Sequence, residues 1–329
     1  MQTSVCRGFN SSDFTAFMSQ PSDKFSVNLA HATLIDVINA YIEHRSLIHP
    51  QFAKQWSTTK KYIHGLEFLC GQQIMPEQIS ELFYPHLIRY MLTNDCSTTT
   101  VQHTCSQIRS ALEWGSRYGA NISPTYDKID FMGETHENTI LSYAELCHVY
   151  YFDIDNISGK RRDWKRTMKR VRDMFIFSVV FGQRHSDSAR INKSCFDDSM
   201  FTITQLKTGS KVSYDWKDYA FNKKIAMELL QRYDYTAPYV ADISVYNKKL
   251  KELFRVIGME FNQEIKNEEK VLGEIVTTTT PRWKMIGSHT ARRTAISYWA
   301  NQGKSMNWIR RFSGHKDLRS LQEYMLEEQ

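Results

Sequence analysis

Side chains that can do chemistry are concentrated near the end of the 329-residue chain, between His289 and Tyr324. His289 and Arg292 stand three residues apart, a spacing that places two side chains one turn apart on the same side of a helix. Gly314 and His315 follow, and Tyr324 comes nine residues after that histidine. Two histidines, an arginine and a tyrosine near the ends of predicted helices can converge on an anion, because helix ends also present backbone N–H groups.

A further arginine lies just after the C-terminal end of a predicted buried helix. Residues 174–181 are almost wholly apolar, and Gly182 ends them. Arg184 and Asp187 follow directly. Because arginine keeps its charge at any working pH and makes bidentate contacts to phosphate, Arg184 suits an oxyanion clamp. A salt bridge between Arg184 and Asp187 is the structural alternative, and the two interpretations are compatible.

These motifs resemble those of the tyrosine recombinases, the phage-integrase family. That family carries His-x-x-Arg, then Gly-His, then a tyrosine, with Gly-x-Arg-x-Ser-Glu/Asp upstream. The resemblance implies a DNA-cutting nucleophile at Tyr324 and phosphate-neutralising arginines at Arg184 and Arg292. It implies a base at His289, since a tyrosine with a pKa near 10 must lose its proton as it attacks. His315 would bind phosphate or orient the site.

A predicted β-hairpin supplies the remaining catalytic candidate. Residues 201–206 alternate as a strand and residues 211–214 return, with a turn that begins at Lys207. By the resemblance, Lys207 protonates the leaving 5′-oxygen of the DNA, and Lys211 is the nearby competitor for that role. Asp187 matches the family's acidic residue and would support the site.

Helices must position these residues, since helical periodicity dominates the sequence. Four predicted helices before residue 120 suggest a small bundle. We expect a flexible arm over residues 1–25, a helical DNA-clamping domain over 26–120, a linker over 121–132 and a catalytic domain over 133–329. The expected fold is mainly α with a small β-hairpin or sheet, in which a helical-bundle core-binding domain precedes a tyrosine-recombinase-like catalytic domain.

The densest basic run of the sequence lies between residues 160 and 172 and holds eight positive charges. Such runs are usually solvated helix faces, but mutual repulsion among these charges favours a polyanionic partner. Each cation placed at a phosphate adds salt-dependent affinity. The candidate DNA-binding residues are Lys160, Arg161, Arg162, Lys165, Arg166, Lys169 and Arg170, with Lys211 in the hairpin.

Composition limits the class of protein. A formal net charge of +6 is a mild bias toward polyanions, and 41% hydrophobic residues suffice for one large or two ordinary domains. The sequence has no apolar run near about 18 residues and no signal-peptide pattern, and its six cysteines are dispersed. We therefore expect a cytoplasmic protein with no membrane partner, and the resemblance implies association with the nucleoid. No clustered carboxylates or histidines predict a metal site, and the resemblance implies no cofactor.

The resemblance implies a site-specific recombinase of a mobile element, which cuts and rejoins double-stranded DNA through a covalent 3′-phosphotyrosyl intermediate. It also implies a tetramer assembled on two DNA sites, with accessory DNA-bending proteins as candidate partners. Two alternatives stay open. A type IB topoisomerase-like enzyme shares the nucleophile but does not depend on paired sites. A non-catalytic DNA-binding relative would keep its function in a Tyr324→Phe variant.

Overall fold

The structure, a computed structural model, describes most of the chain after residue 28. The described residues are 29–128, 139–197, 200–215, 217, 221–272, 274–315 and 321. The expected arm over residues 1–25 and residues 129–132 of the expected linker lie outside them. Within the described part, helices dominate and two small two-stranded sheets accompany them. The predicted fold class is confirmed. None of the described helices is long and apolar enough to cross a membrane.

The chain divides into two compact units. The first unit comprises Met1–Thr135 and Glu269–Val276, and the second unit comprises the rest. The sequence predicts a single break between two domains, whereas the structure groups the segment around residue 271 with the first unit. The reason is apolar burial, because the side chain of Val271 lies in the hydrophobic core of the first unit.

Caps and apolar stripes define the helices of the first unit. In the described residues these helices are α1 (Leu34–Ser46), α2 (Ser57–Cys70), α3 (Phe83–Thr93) and α4 (Thr98–Arg117). Thr33 and Asp36 form a capping box that starts α1. The side chain of Ser97 accepts a hydrogen bond from a backbone N–H in the first turn of α4. The four predicted helices of this region are present, with boundaries shifted by a few residues.

One predicted core residue of the first unit is wrong. Apolar periodicity over residues 50–69 predicts that Phe68 faces the core together with Tyr62 and Leu66, whereas its side chain is 86% exposed. The buried side of α2 runs through Tyr62 and Ile63 to the half-buried Leu66. Phe68 stands two residues beyond Leu66, which is about 200° around a helix, so its side chain points away from the core.

The second unit is organised around one long helix. Its described helices are α5 (Tyr143–Tyr151), α6 (Arg162–Phe181), α7 (His185–Ser188), α8 (Lys223–Arg232), α9 (Ile243–Ile257), α10 (Arg282–Met285), α11 (Ser288–Asn301) and α12 (Met306–Ser313). The C-terminal half of α6 is buried on every side, and α6 packs against both α9 and α11. Gly182 ends α6 in the left-handed conformation, at φ 59°. A Cβ at Gly182 would lie 2.4 Å from the ring of Trp299, so only glycine lets these helices approach so closely.

Two antiparallel hairpins complete the described fold. Strands β1 (Met200–Thr204) and β2 (Lys211–Asp215) form the hairpin that the sequence predicts. Strands β3 (Glu264–Val271) and β4 (Glu274–Pro281) form a second hairpin, in a region where the sequence shows no clear period. Alternation is missing there because the side chains of β4 are exposed on both faces over most of the strand.

Candidate active site

Arg292 lies on α11 with its side chain fully buried. Its Nη1 donates to the carbonyl oxygen of Gly182 at 3.1 Å, and its Nη2 donates to the carbonyl oxygen of Ser313 at 2.8 Å. These two carbonyls belong to the C-terminal ends of α6 and α12, where the partial negative charge of a helix stabilises a cation. Burial of a charged group is costly unless such bonds compensate, so the fold holds this guanidinium in one place.

His315 is 9% exposed and follows Gly314, the left-handed cap of α12. The hydroxyl of Ser313 donates its one hydrogen to the carbonyl oxygen of Ile309 at 2.6 Å. The 2.7 Å contact between Ser313 Oγ and His315 Nδ1 therefore has Nδ1–H as its donor. Nη2 of Arg292 lies 3.3 Å from Nδ1 and 3.2 Å from Nε2 of the same ring, so the guanidinium and the imidazole are in direct contact. This contact is compatible with the orienting role predicted for His315, and the choice between that role and phosphate binding stays a prediction.

His289 lies in the first turn of α11, and its ring is half-buried. Burial, reinforced by the positive charges of Arg293, Arg292, Arg184 and Lys207, lowers the pKa of His289 from 6.5 to about 4. The imidazole is therefore neutral at pH 7 and has a lone pair that can accept a proton. Because Arg184 and Lys207 come from distant parts of the sequence, their effect on this ring means that the fold brings the three predicted residues together.

The stability of the fold in acid is expected to depend on His289. The unfolded chain binds the proton more readily, because the folded pKa of about 4 lies below the ordinary 6.5. The neutral His289 ring makes its full contribution to the free energy of unfolding above pH 6.5. This contribution is lost as the pH falls from 6.5 toward 4. Between pH 7 and pH 5, we expect the free energy of unfolding to decrease by about 2 kcal/mol more in the wild type than in His289→Gln.

Urea unfolding at the two pH values measures this difference. The control is His86→Gln, the same change at an exposed histidine of the first unit. An equal decrease in wild type and His289→Gln would contradict the burial and charge effects assigned to this ring.

Arg184 is the residue before α7, and its side chain is half-buried. Its Nη1 donates to Oε1 of Gln205 at 3.0 Å. Asp187 is fully buried, accepts the backbone N–H of Leu206 at 2.9 Å and lies 3.6 Å from Nη1 of Arg190. The ion pair considered in the sequence for Asp187 is thus made with Arg190. The hydrogen bond from the backbone N–H of Leu206 to Asp187 fixes the chain at the start of the β1–β2 turn.

Lys207 lies in the turn between β1 and β2 with its side chain exposed. The hydroxyl of Thr208 donates to Oε1 of Gln205 at 2.9 Å and so ties the turn to the buried site. Lys211, the alternative proton donor, is exposed at the first residue of β2. The charge of Lys207 acts on the ring of His289, which favours Lys207 for the predicted role.

Two buried glutamines connect the site, and the sequence does not predict them. Nε2 of Gln205 donates to Oε1 of Gln183 at 2.7 Å and to the carbonyl oxygen of Ser313 at 2.8 Å. Neither glutamine belongs to a motif, and a polar residue at the end of a helix or strand is ordinarily solvated. Their only signal in the sequence is position, since they stand one residue before Arg184 and two residues before Lys207.

The basic run lies at the start of α6, where most of its cations have partners within the second unit. The contacts join Lys160 to Glu252, Lys165 to the carbonyl of Asp155, Arg166 to Asp163, Lys169 to Asp155, Arg170 to the carbonyl of Pro238, and Arg172 to Asp173. Arg161 and Arg162 are exposed. DNA binding by this run stays a prediction, and it requires most of these cations to exchange an internal partner for a phosphate.

Tyr324, the predicted nucleophile, lies outside the described residues, and its role stays a prediction. Leu321 is described, and its side chain is fully buried in the apolar core of the second unit. The chain is therefore anchored to the unit that holds Arg184, His289 and Arg292 three residues before Tyr324.

Comparison with solved structures gives several similar folds. A lambda integrase dimer bound to a COC′ core site is 13% identical, with 96% of this chain and 85% of that chain covered at a TM-score of 0.67. A lambda integrase tetramer bound to a Holliday junction is 14% identical, with 96% and 84% covered at a TM-score of 0.65. A Tn1549 transposon integrase in complex with transposon right end DNA is 12% identical, with 90% and 96% covered at a TM-score of 0.56. No protein-family model matches this chain, and no curated protein matches it in sequence.

Proposed function

We propose that this chain, which has the fold of the tyrosine recombinases, is a site-specific DNA recombinase that cuts and rejoins DNA through a covalent 3′-phosphotyrosyl intermediate. The surroundings of His289 carry the proposal. A neutral imidazole lies within the influence of Arg184, Lys207 and Arg292, which are the residues that the motifs single out. Cations that bind a phosphodiester and a base that accepts a proton are two of the requirements of this reaction.

The first step of the proposed reaction cleaves one DNA strand. Arg184 and Arg292 neutralise the non-bridging oxygens of the scissile phosphate, an electrostatic contribution of several kcal/mol in such sites. The hydroxyl oxygen of Tyr324 attacks the phosphorus, and the bond between phosphorus and the 5′-oxygen breaks. The hydroxyl proton passes to His289, and Lys207 gives a proton to the departing oxygen. The products are a 3′-phosphotyrosyl bond and a free 5′-hydroxyl.

The second step rejoins the strands. A 5′-hydroxyl from another duplex attacks the phosphotyrosyl bond, and the two proton transfers run in reverse. One phosphate ester replaces another, so the proposed reaction needs neither ATP nor a metal ion. Lambda integrase is described as a tetramer bound to a Holliday junction. By analogy, we propose that this chain acts as a tetramer on two DNA sites.

Covalent trapping tests this proposal. The protein is mixed with labelled DNA from around its own gene, intact or nicked, in EDTA, and the mixture is denatured in SDS. We expect a retarded protein–DNA adduct, and mass spectrometry of its digested peptides should place the nucleotide on the peptide that contains Tyr324.

The other outcomes separate the alternatives. Tight, salt-sensitive DNA binding without an adduct on intact or nicked DNA would favour a non-catalytic binding protein. Relaxation of supercoiled plasmid without paired sites would favour a type IB topoisomerase-like enzyme. Absence of any DNA binding would end both the recombinase proposal and the DNA-clamping role of the first unit.

A further inference from the structure

Gln205 directly follows β1, is 1% exposed, and makes four hydrogen bonds through its amide. Nε2 donates to the side-chain oxygen of Gln183 at 2.7 Å and to the main-chain oxygen of Ser313 at 2.8 Å. Oε1 accepts from Nη1 of Arg184 at 3.0 Å and from the hydroxyl of Thr208 at 2.9 Å. Two N–H donors and two lone pairs are the full capacity of a primary amide, so this group is saturated although it is buried.

These partners fix the orientation of the amide. Rotation by 180° would set Oε1 against the oxygens of Gln183 and Ser313 and would set Nε2 against the donors of Arg184. Gln183 cannot adjust to such a rotation, because its own Nε2 donates to two main-chain carbonyls, each at 3.0 Å. Gln205 is therefore held with its oxygen toward Arg184.

The same amide joins three parts of the site. Arg184 comes from the segment before α7, and Thr208 comes from the turn that carries Lys207. The carbonyl of Ser313, at the end of α12, also accepts from Arg292 at 2.8 Å. The positions of two predicted catalytic arginines and one predicted catalytic lysine thus depend on one network.

Packing makes this network rigid. Gly314 has a φ of 69°, and a Cβ at this position would lie 2.6 Å from the amide of Gln205. The end of α12 is thus packed directly on the glutamine. Neither can shift without the other, because close-packed interiors transmit displacements.

We propose that Gln205 is a positioning residue that sets the guanidinium of Arg184 for the scissile phosphate. This inference rests on the proposed function. The bond to Gln205 uses one of the five N–H donors of the guanidinium and fixes the plane in which the others lie. Without that bond, a half-buried arginine samples several rotamers, and each productive encounter with the phosphate must first order the side chain.

A double-mutant cycle of Gln205→Met and Arg184→Ala tests the inference, since methionine keeps the volume of glutamine without its amide. The substrate is the DNA fragment that forms the adduct, with sulfur in place of the bridging 5′-oxygen at the scissile phosphate. A thiolate leaves without a proton donor and rejoins poorly. Slow cleavage therefore accumulates as product and can be timed in a single turnover.

Gln205→Met is expected to slow cleavage about 100-fold, and Arg184→Ala about 1,000-fold. Because Gln205 acts through Arg184, adding Gln205→Met to Arg184→Ala should slow cleavage by less than about threefold further. A purely structural role would instead multiply the two losses. On oxygen-bridged DNA the loss for Gln205→Met should be larger, because Lys207 must then protonate the leaving oxygen.

The matched control is Gln231→Met, the same change at an exposed glutamine of α8, which should cleave like wild type. Gln205→Asn keeps the amide but withdraws it by one methylene, and it provides a second cycle if Gln205→Met does not fold. Cleavage at the wild-type rate by the Gln205 variants, or losses that multiply in the double variant, would overturn this inference. Absence of cleavage by wild-type protein would instead overturn the proposed function.

Discussion

Tyr324→Phe is expected to abolish the covalent protein–DNA adduct, with a loss of cleavage of about 10,000-fold or more. Phenylalanine keeps the aromatic ring and removes only the hydroxyl oxygen, which is the atom proposed to form the new bond to phosphorus. Arg184 and Arg292, the proposed phosphate-binding side chains, are unchanged in this variant, so DNA binding should be unchanged. SDS gel analysis of the adduct and a filter-binding assay measure the two properties on one preparation.

Tyr298→Phe is the matched control. Tyr298 is half-buried on α11, and its ring stacks on that of Tyr143 with centroids 6.5 Å apart. Loss of its hydroxyl should leave adduct formation intact. An adduct that survives in Tyr324→Phe and disappears in Tyr298→Phe would move the nucleophile to α11.

Arg292→Lys is expected to lower cleavage by about 100- to 1,000-fold, although the formal charge is kept. The guanidinium spans the carbonyl oxygens of Gly182 and Ser313 and also meets His315. A lysine ammonium is a compact charge without a planar fork, so it cannot reproduce this geometry and still face the phosphate. Single-turnover cleavage at saturating protein measures the loss.

The second variant at this position separates geometry from stability. Arg292→Ala should reduce cleavage further and lower the free energy of unfolding by about 3 kcal/mol, because buried carbonyl groups lose their donor. Arg311→Lys, the same conservative change at an exposed arginine of α12, is the control for both measurements. Wild-type cleavage by Arg292→Lys would mean that this arginine serves only the fold.

The sequence predicts those features that leave a local pattern. The apolar residues 174–181 and Gly182 predict the buried half of α6 and its end, and β1 and β2 follow from strand alternation around a turn. Arg184 and Lys207 are found through short motifs, and their influence on His289 agrees with a common site. Local periodicity was therefore sufficient for the main fold class, and motif spacing supplies candidate residues whose roles stay predictions.

Features without a local pattern could not be predicted. Gln205 is buried only because Gln183, Ser313 and Arg184 converge on it in three dimensions. The β3–β4 hairpin has too few buried side chains to alternate, and Phe68 shares an apolar stretch with residues that face the core. The surroundings of Gln205 depend on contacts between segments far apart in the chain, and periodicity carries no information about such contacts. The side of α2 on which Phe68 lies follows instead from its spacing to Leu66.

If the basic run binds DNA as predicted, its internal partners will affect the thermodynamics of that binding. Eight solvated cations that each take a phosphate of duplex DNA would give a slope of about −7 in log affinity against log salt concentration. In this protein, Lys169 pairs with Asp155, and Arg166 pairs with Asp163. A phosphate that binds either cation would leave an uncovered carboxylate, that is, one without its partner. Each uncovered carboxylate attracts cations from solution and so offsets part of the release of cations from the DNA. The net release of ions is therefore smaller than the number of phosphates contacted, and affinity through this surface would fall less steeply with salt than its charge suggests.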